Sequence, residues 1–193
     1  RDLTCLFMPG ERFTASGSER IPVALPRGYG YPIRSSEAIL NILHIQNFTL
    51  TPQKVYYQFS MTVEPLNVQP PLTAVRPWWL DVKLCTSSYI VPTGTGLHVK
   101  QRDYGVSNQL TLLELGPHLH CGGVKLEVIN KTTGRPIHTF LNKACPVEMQ
   151  PIVPVAPIVL SLGTTVTLKA TYQQLPNEPI DAMGIMLAYV LVK

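Results

Sequence analysis

The segment "LGPHLHCGG", residues 115–123, places His118 and His120 one residue apart with Cys121 beside them. Side chains at i and i+2 of a strand share a face, so this spacing can bring two imidazole nitrogens to one point, as a metal ion requires. The plainer reading of an H-x-H pair is two hydrogen-bonded histidines, and a third ligand is what would decide between them. A structural zinc site wants four donors from Cys and His, yet Cys121 alternates to the opposite face in a regular strand. A blue-copper set of two His, one Cys and a distant Met fails at the same residue unless the backbone bulges there. If the following strand "VKLEVI" runs back through Gly122, the histidines share the core-facing side with Val124, Leu126 and Val128. A bulge at Gly122-Gly123 would instead aim them at the rim or the outer face.

The elements that must position this pair are strands. Eighteen prolines and thirteen glycines interrupt the chain, and no window longer than a few turns keeps a helical apolar period, so the pattern is all-β. In "KVYYQFSMTVE" Val55, Tyr57, Phe59, Met61 and Val63 alternate against polar neighbours, which predicts the clearest strand. "TVTLKATY" likewise sends Val166, Leu168, Ala170 and Tyr172 inward. Further strands are expected at "AILNILHI", "WWLDVKLC", "VKLEVI", "PIHTFL" and the terminal "AMGIMLAYVLV", which is apolar on both faces and therefore central. Half-buried strands of this kind build an antiparallel β-sandwich. Residues 1–31 alternate little and read as an extended arm laid along a single domain of residues 32–193.

At 193 residues, 45% hydrophobic and 15% charged, the chain can bury one substantial core. Its net charge is +4, but the basic residues are scattered singly, which argues against a nucleic-acid partner. No run approaches the ~18 apolar residues of a membrane-spanning helix. The first residues lack the apolar centre of a signal peptide, so the chain is either cytosolic or already processed. An even count of four cysteines and two N-x-[ST] sequons, at Asn47 and Asn130, favour the second alternative: a secreted, disulfide-bonded glycoprotein. Of the three possible pairings, Cys5 with Cys85 and Cys121 with Cys145 is preferred. Hydrolytic sites find no support, because no G-x-S-x-G appears and the 12 acidic residues lie mostly on apparent solvent faces.

"VPTGTGLHVKQRDYGVSNQLTLLELGPHLHCGGVKLEV", followed downstream by "DAMGIMLAYVLV", resembles the second jelly-roll domain of the type II copper, ascorbate-dependent monooxygenases, the peptidylglycine and dopamine hydroxylases. The order of "GYGYP", "VRPWWLDV", "GPHLHCGG" and "MGIM" is closer still to secreted proteins of the stress up-regulated nodulin type. The resemblance implies a jelly roll and a mononuclear copper site with His118 and His120 as nitrogen ligands and Met183 as the thioether ligand. Met183 is preferred to Met186 because it holds the position after Asp181-Ala182, while Met186 lies on the opposite strand face. Thioether suits Cu(I), imidazole suits both copper oxidation states, and three protein ligands leave a position open; zinc is less favoured because of the methionine.

Departures from that family's pattern restrict the chemistry it implies. The hydroxylases carry a second copper on three histidines of another domain, whereas here only His44, His98 and His138 remain, and they are dispersed. The chain would therefore need an external electron donor, and whether it is an enzyme stays open. The cysteine pair that brackets the methionine strand in the peptidylglycine enzyme is replaced, with Gly184 and Ala170 in what look like its positions. His44, which matches a histidine of the secreted relatives, is a candidate further ligand or supporting group. Asp81 is either a solvent-facing carboxylate or the acceptor that orients a histidine. Two expectations emerge: a secreted copper-binding jelly roll with slow redox or oxygen chemistry, or an extracellular structural subunit that self-assembles by adding its N-terminal arm to a neighbour's sheet edge.

Overall fold

The computed structural model describes residues 5, 10–15, 23–43, 45, 47, 49–85, 88–142 and 153–193, with the backbone alone for 153–155. The described elements are all strands: β1 (Tyr29–Gly30), β2 (Thr73–Ala74), β3 (Arg76–Asp81), β4 (Tyr89–Val91), β5 (Leu97–Gly105), β6 (Leu110–Leu119), β7 (Gly123–Asn130), β8 (Arg135–Leu141), β9 (Val153–Leu160), β10 (Thr165–Gln173), β11 (Ile180–Ala182) and β12 (Gly184–Val192). Two four-stranded antiparallel sheets carry the fold, in the orders β3-β12-β6-β9 and β5-β10-β7-β8, beside the short pairs β1-β2 and β4-β11. Setting those short strands aside and counting the rest from one to eight gives orders 1-8-3-6 and 2-7-4-5. This is the double Greek key of a jelly roll. The fold is an all-β sandwich, as the sequence pattern and the resemblance led us to expect.

The inward faces meet in one apolar layer. Leu80 of β3, Leu115 and Leu119 of β6, and Met186, Ala188 and Val190 of β12 pack against Leu126 and Val128 of β7 and Val166, Leu168, Ala170 and Tyr172 of β10. Burying each aliphatic side chain contributes about 2 kcal/mol, so alternation along these strands fixes which face turns inward. Strand β10 orients Val166, Leu168, Ala170 and Tyr172 as their alternation predicts, and β12 lies between β3 and β6, buried on both faces. The sheets approach unusually closely at the start of β12: a Cβ at Gly184 would lie 2.6 Å from the Ala170 Cβ and 3.0 Å from Val82 Cγ2. Gly184 and Ala170 thus do face each other across the sandwich, and only glycine fits.

The outer face of the β3-β12-β6-β9 sheet is also apolar, with Val75, Trp79, Leu113, Ile185, Leu187 and Tyr189. Described residues of the N-terminal segment cover it, among them Ala15, Val23, Leu25, Tyr29 and Tyr31. Trp79 Nε1 donates to Arg12 O at 2.6 Å and Tyr189 Oη to Phe13 O at 2.8 Å. Arg76 pairs with Glu11, and the Phe13 and Tyr31 rings stack at 5.2 Å. The arm is therefore engaged within its own chain. A disulfide joins Cys5 to Cys85 over a sequence separation of 80, as preferred from the sequence. Cys121 is also disulfide-bonded; the expected pairing with Cys145 concerns a residue outside those described.

Two strand expectations need correction. "KVYYQFSMTVE" is not a strand: residues 52–65 carry no sheet pairing, and Val55, Tyr57, Phe59, Met61 and Val63 are exposed. "AILNILHI" forms no strand among its described residues either. Alternation creates a face, but a strand is stable only when that face and its backbone groups find partners, and among the described residues neither segment has a ladder partner. "VKLEVI" does form a strand, and of the two alternatives left open for it the break at the glycine pair holds: the strand does not run back through Gly122. The chain turns from β6 in one sheet to β7 in the other at residues 120–123, where Gly123 N–H donates to His120 O at 3.0 Å. Gly122 has φ +84 there, the requirement at the third position of a type II turn.

Candidate metal centre

The turn after β6 decides where the histidines point. On β6, Leu119 lies opposite Gly184 and His118 opposite Ile185 of β12. Because Gly184 faces the core and Ile185 the arm-covered side, His118 lies on the outer face of its sheet, not on the core-facing side shared by Leu126 and Val128. Val124, expected to join them, is 38% exposed, since the β10–β7 register slips beside it. A bulge further back on β6, where Leu112 pairs with Val190 and Glu114 with Tyr189, makes Leu113 the extra residue. It turns both Leu113 and Glu114 outward and so sets the parity that His118 inherits.

Extending the β6–β12 register one step beyond Gly184–Leu119 sets Met183 opposite His120. Opposite and diagonal neighbours on one face of an antiparallel pair are within side-chain reach. His118, His120 and Met183 thus occupy adjacent positions on one face at one end of the sandwich. Met183 is half-buried against the outer-face cluster, whereas Met186 is fully buried between the sheets. Met183 therefore shares a sheet face with the two histidines, and Met186 does not.

The imidazoles of His118 and His120 stand perpendicular, with centroids 5.3 Å apart. Two imidazoles that share one ion at about 2 Å, with a near-tetrahedral angle between them, place their centroids about 5 Å apart. His120 Nδ1 lies 2.9 Å from the backbone carbonyl of Asp181 and 3.7 Å from its Oδ2. A carbonyl only accepts, so Nδ1 carries the proton and Nε2 of the neutral ring keeps its lone pair free for a ligand. His118 Nδ1 is shut off from solvent and has no hydrogen-bond partner. Burial, and then the neighbouring His120, hold its pKa down to about 4. It is neutral at pH 7 and presents an unsatisfied lone pair or N–H, a costly condition that ligation or a bound molecule relieves.

Tyr172 of β10 reaches this end of the sandwich from the opposite sheet. Its hydroxyl accepts from His120 N at 2.8 Å and from Met183 N at 3.2 Å, and donates to Met183 O. Burial pushes this phenol up to about 12. Gly122 admits the local packing, since a Cβ there would meet Ile180 Cδ1 at 2.7 Å. The β4–β11 pair, through Asp181 opposite Ile90, delivers the carbonyl that holds His120.

The remaining sequence candidates lie elsewhere. Asp81 is neither solvent-facing nor a histidine acceptor: it is 3% exposed, and its Oδ1 accepts from Lys83 N at 2.8 Å in the turn after β3. Burial raises its carboxyl. His44 lies outside the described residues. Among the described residues, no third His, Cys, Asp or Glu joins the pair to form a group able to hold a metal, and Met183 shares their face of the sheet. The donor set fits a soft or borderline ion such as copper better than zinc. Asn47 is exposed in a turn in which its Oδ1 accepts from Thr49 N and Oγ1. Asn130 ends β7 at the β7–β8 turn. Sequence reasoning missed Tyr172 and the role of Asp181; a phenol assigned to the core was the available signal, because buried Tyr hydroxyls need partners.

No protein-family model matches the chain, and no curated protein does. Among solved structures it is similar to the crystal structure of the infectious bursal disease virus VP2 subviral particle, at 10% identity and a TM-score of 0.35, with 67% of this chain covering 37% of that one. It is similar also to the structure of infectious bursal disease virus Gx strain, at 13% identity and a TM-score of 0.30, with 67% covering 36%. The chain thus spans little more than a third of these relatives, and likeness at this level carries no argument about function. No helix among the described residues is long and apolar enough to cross a membrane.

Proposed function

We propose that this chain is a secreted copper-binding jelly roll whose site is formed by His118, His120 and Met183. The observation that carries the reading is the imidazole pair at 5.3 Å, one ring with its tautomer set by Asp181 O and the other with a buried, unpartnered nitrogen. Copper bound there would supply one-electron exchange and a coordination position for a small ligand. The protein's own contributions are separate. Asp181 orients His120, burial keeps His118 unprotonated, and the outer-face packing holds Met183 at the same end of the sheet. With no second cluster of ligands among the described residues, a two-electron hydroxylation would draw its other electron from an external donor, and slow oxidation of ascorbate is the expected activity. The sequons at Asn47 and Asn130 would carry glycans in a secreted protein. Assembly through the arm is the less favoured reading, because the carbonyls of Arg12 and Phe13 are already bonded to the chain's own Trp79 and Tyr189.

Metal analysis of protein expressed into an oxidising compartment tests this. About one copper per chain is expected, lost in His118→Ala and in His120→Ala and retained in His138→Ala. Full copper in a variant lacking both His118 and His120 would place the site elsewhere.

A further inference from the structure

We infer that the Tyr172 hydroxyl is a positioning group that replaces a rung of the β6–β12 ladder and so sets the spacing between the backbones that carry His120 and Met183. The inference rests on the reading of those residues as ligands, but its structural half stands without a metal. In a regular antiparallel ladder, opposite residues of a bonded pair exchange N–H and C=O directly. The regular pairing runs as far as Gly184–Leu119. At the next position, where His120 faces Met183, His120 N–H donates instead to the phenol, and the phenol donates to Met183 O while accepting from Met183 N. An oxygen atom stands between groups that would otherwise touch.

Three further observations fit a built device. Tyr172 is fully buried and comes from the other sheet, so its backbone is held by β5 and β7 and not by the strands that carry the ligands. The neighbouring Tyr89 ring meets it edge-on at 6.1 Å, limiting ring movement. The bulge in the β10–β7 register falls at Thr171–Tyr172, where Tyr172 pairs with Gly123 of the turn that follows His120. Tyr172 thus stands beside the turn whose first residue, His120, its hydroxyl bonds. The consequence for binding is that the distance across which an imidazole and a thioether must share one ion is set by a hydroxyl and not by direct strand pairing.

Tyr172→Phe removes the bridge and keeps the ring. Tyr89→Phe is the matched control, since its hydroxyl is equally buried yet has no hydrogen-bond partner. In metal-free protein, amide exchange at His120 and Met183 should accelerate at least tenfold in Tyr172→Phe and stay unchanged in Tyr89→Phe. Unchanged exchange at both amides in Tyr172→Phe would overturn the inference. In protein titrated with Cu(I), Tyr172→Phe should weaken binding about tenfold and diminish sulfur scattering in the copper X-ray absorption spectrum. Adding Tyr172→Phe to Met183→Ile should weaken binding by less than it does alone, because both act through the thioether. Wild-type affinity and sulfur scattering in Tyr172→Phe would likewise overturn the positioning role. A wild-type protein that takes up no copper would instead refute the ligand reading, with the exchange result still deciding whether Tyr172 holds the two strands.

Discussion

Glu114→Gln should change how the protein's stability depends on pH. Glu114 lies on the outer face of β6 opposite Tyr189, is 1% exposed, and has no partner for Oε2. Burial raises its carboxyl from 4.5 to about 7. Between those values the folded protein holds a proton that the unfolded chain has released, so this contribution is full below about pH 4.5 and is lost as pH rises through 7. At about 1.4 kcal/mol per pH unit, the loss amounts to about 3 kcal/mol. His118 works in the opposite direction. Its pKa falls from 6.5 to about 4, so its contribution is present above about 6.5 and is lost as pH falls towards 4. The two slopes overlap and cancel between roughly pH 4.5 and 6.5. In urea unfolding of metal-free wild-type protein this pair should therefore contribute almost no net slope across that window. Glu114→Gln, which keeps the side chain's shape, should unmask a rise of about 3 kcal/mol over the same window and leave the variant favoured at pH 8 relative to pH 4.5. Any cost of burying the amide is the same at every pH and does not enter the slope. A variant whose stability follows the wild-type profile would refute the assignment of a proton to buried Glu114.

Gly184→Ala should lower stability by about 2 kcal/mol, because its new methyl would overlap Ala170 in a packed core. Ala170→Gly in the same chain should recover part of the loss in thermal melts, and an unaltered melting temperature in Gly184→Ala would deny the close approach. Met183→Ile, which keeps apolar volume, should weaken Cu(I) binding at least tenfold and Cu(II) binding much less. Equal losses in competition titrations would make Met183 a packing residue.

The sequence disclosed the strands that are buried and little of what tells a real strand from a pattern. β10 and β12 were legible because their faces are decided within the chain: Val166, Leu168 and Ala170 go inward, and Ile185 and Leu187 lie under the arm. Residues 54–64 alternate as well as either, but alternation does not reveal whether a neighbour offers a ladder, and among the described residues none does. The outward direction of His118 depends on a bulge at Leu113 and a turn at Gly122, and one residue of register reverses a face. The partners of His120 come from sequence separations of 52 and 61 residues. No local pattern encodes such contacts, so Tyr172 and Asp181 emerge only once the sheets are assembled. Asp81 shows the converse, since its strand alternation suggested solvent while the fold covers that face.

The copper site is tested most directly by X-ray absorption at the copper edge of the fully reduced, copper-loaded protein, read for the atoms bound to the ion. His118, His120 and Met183 as joint ligands predict two imidazole nitrogens and one sulfur per copper, with the sulfur absent from Met183→Ile and copper itself absent when both histidines are alanine. A spectrum in wild-type protein with sulfur alone, or with nitrogen that persists after both histidines are replaced, would contradict it.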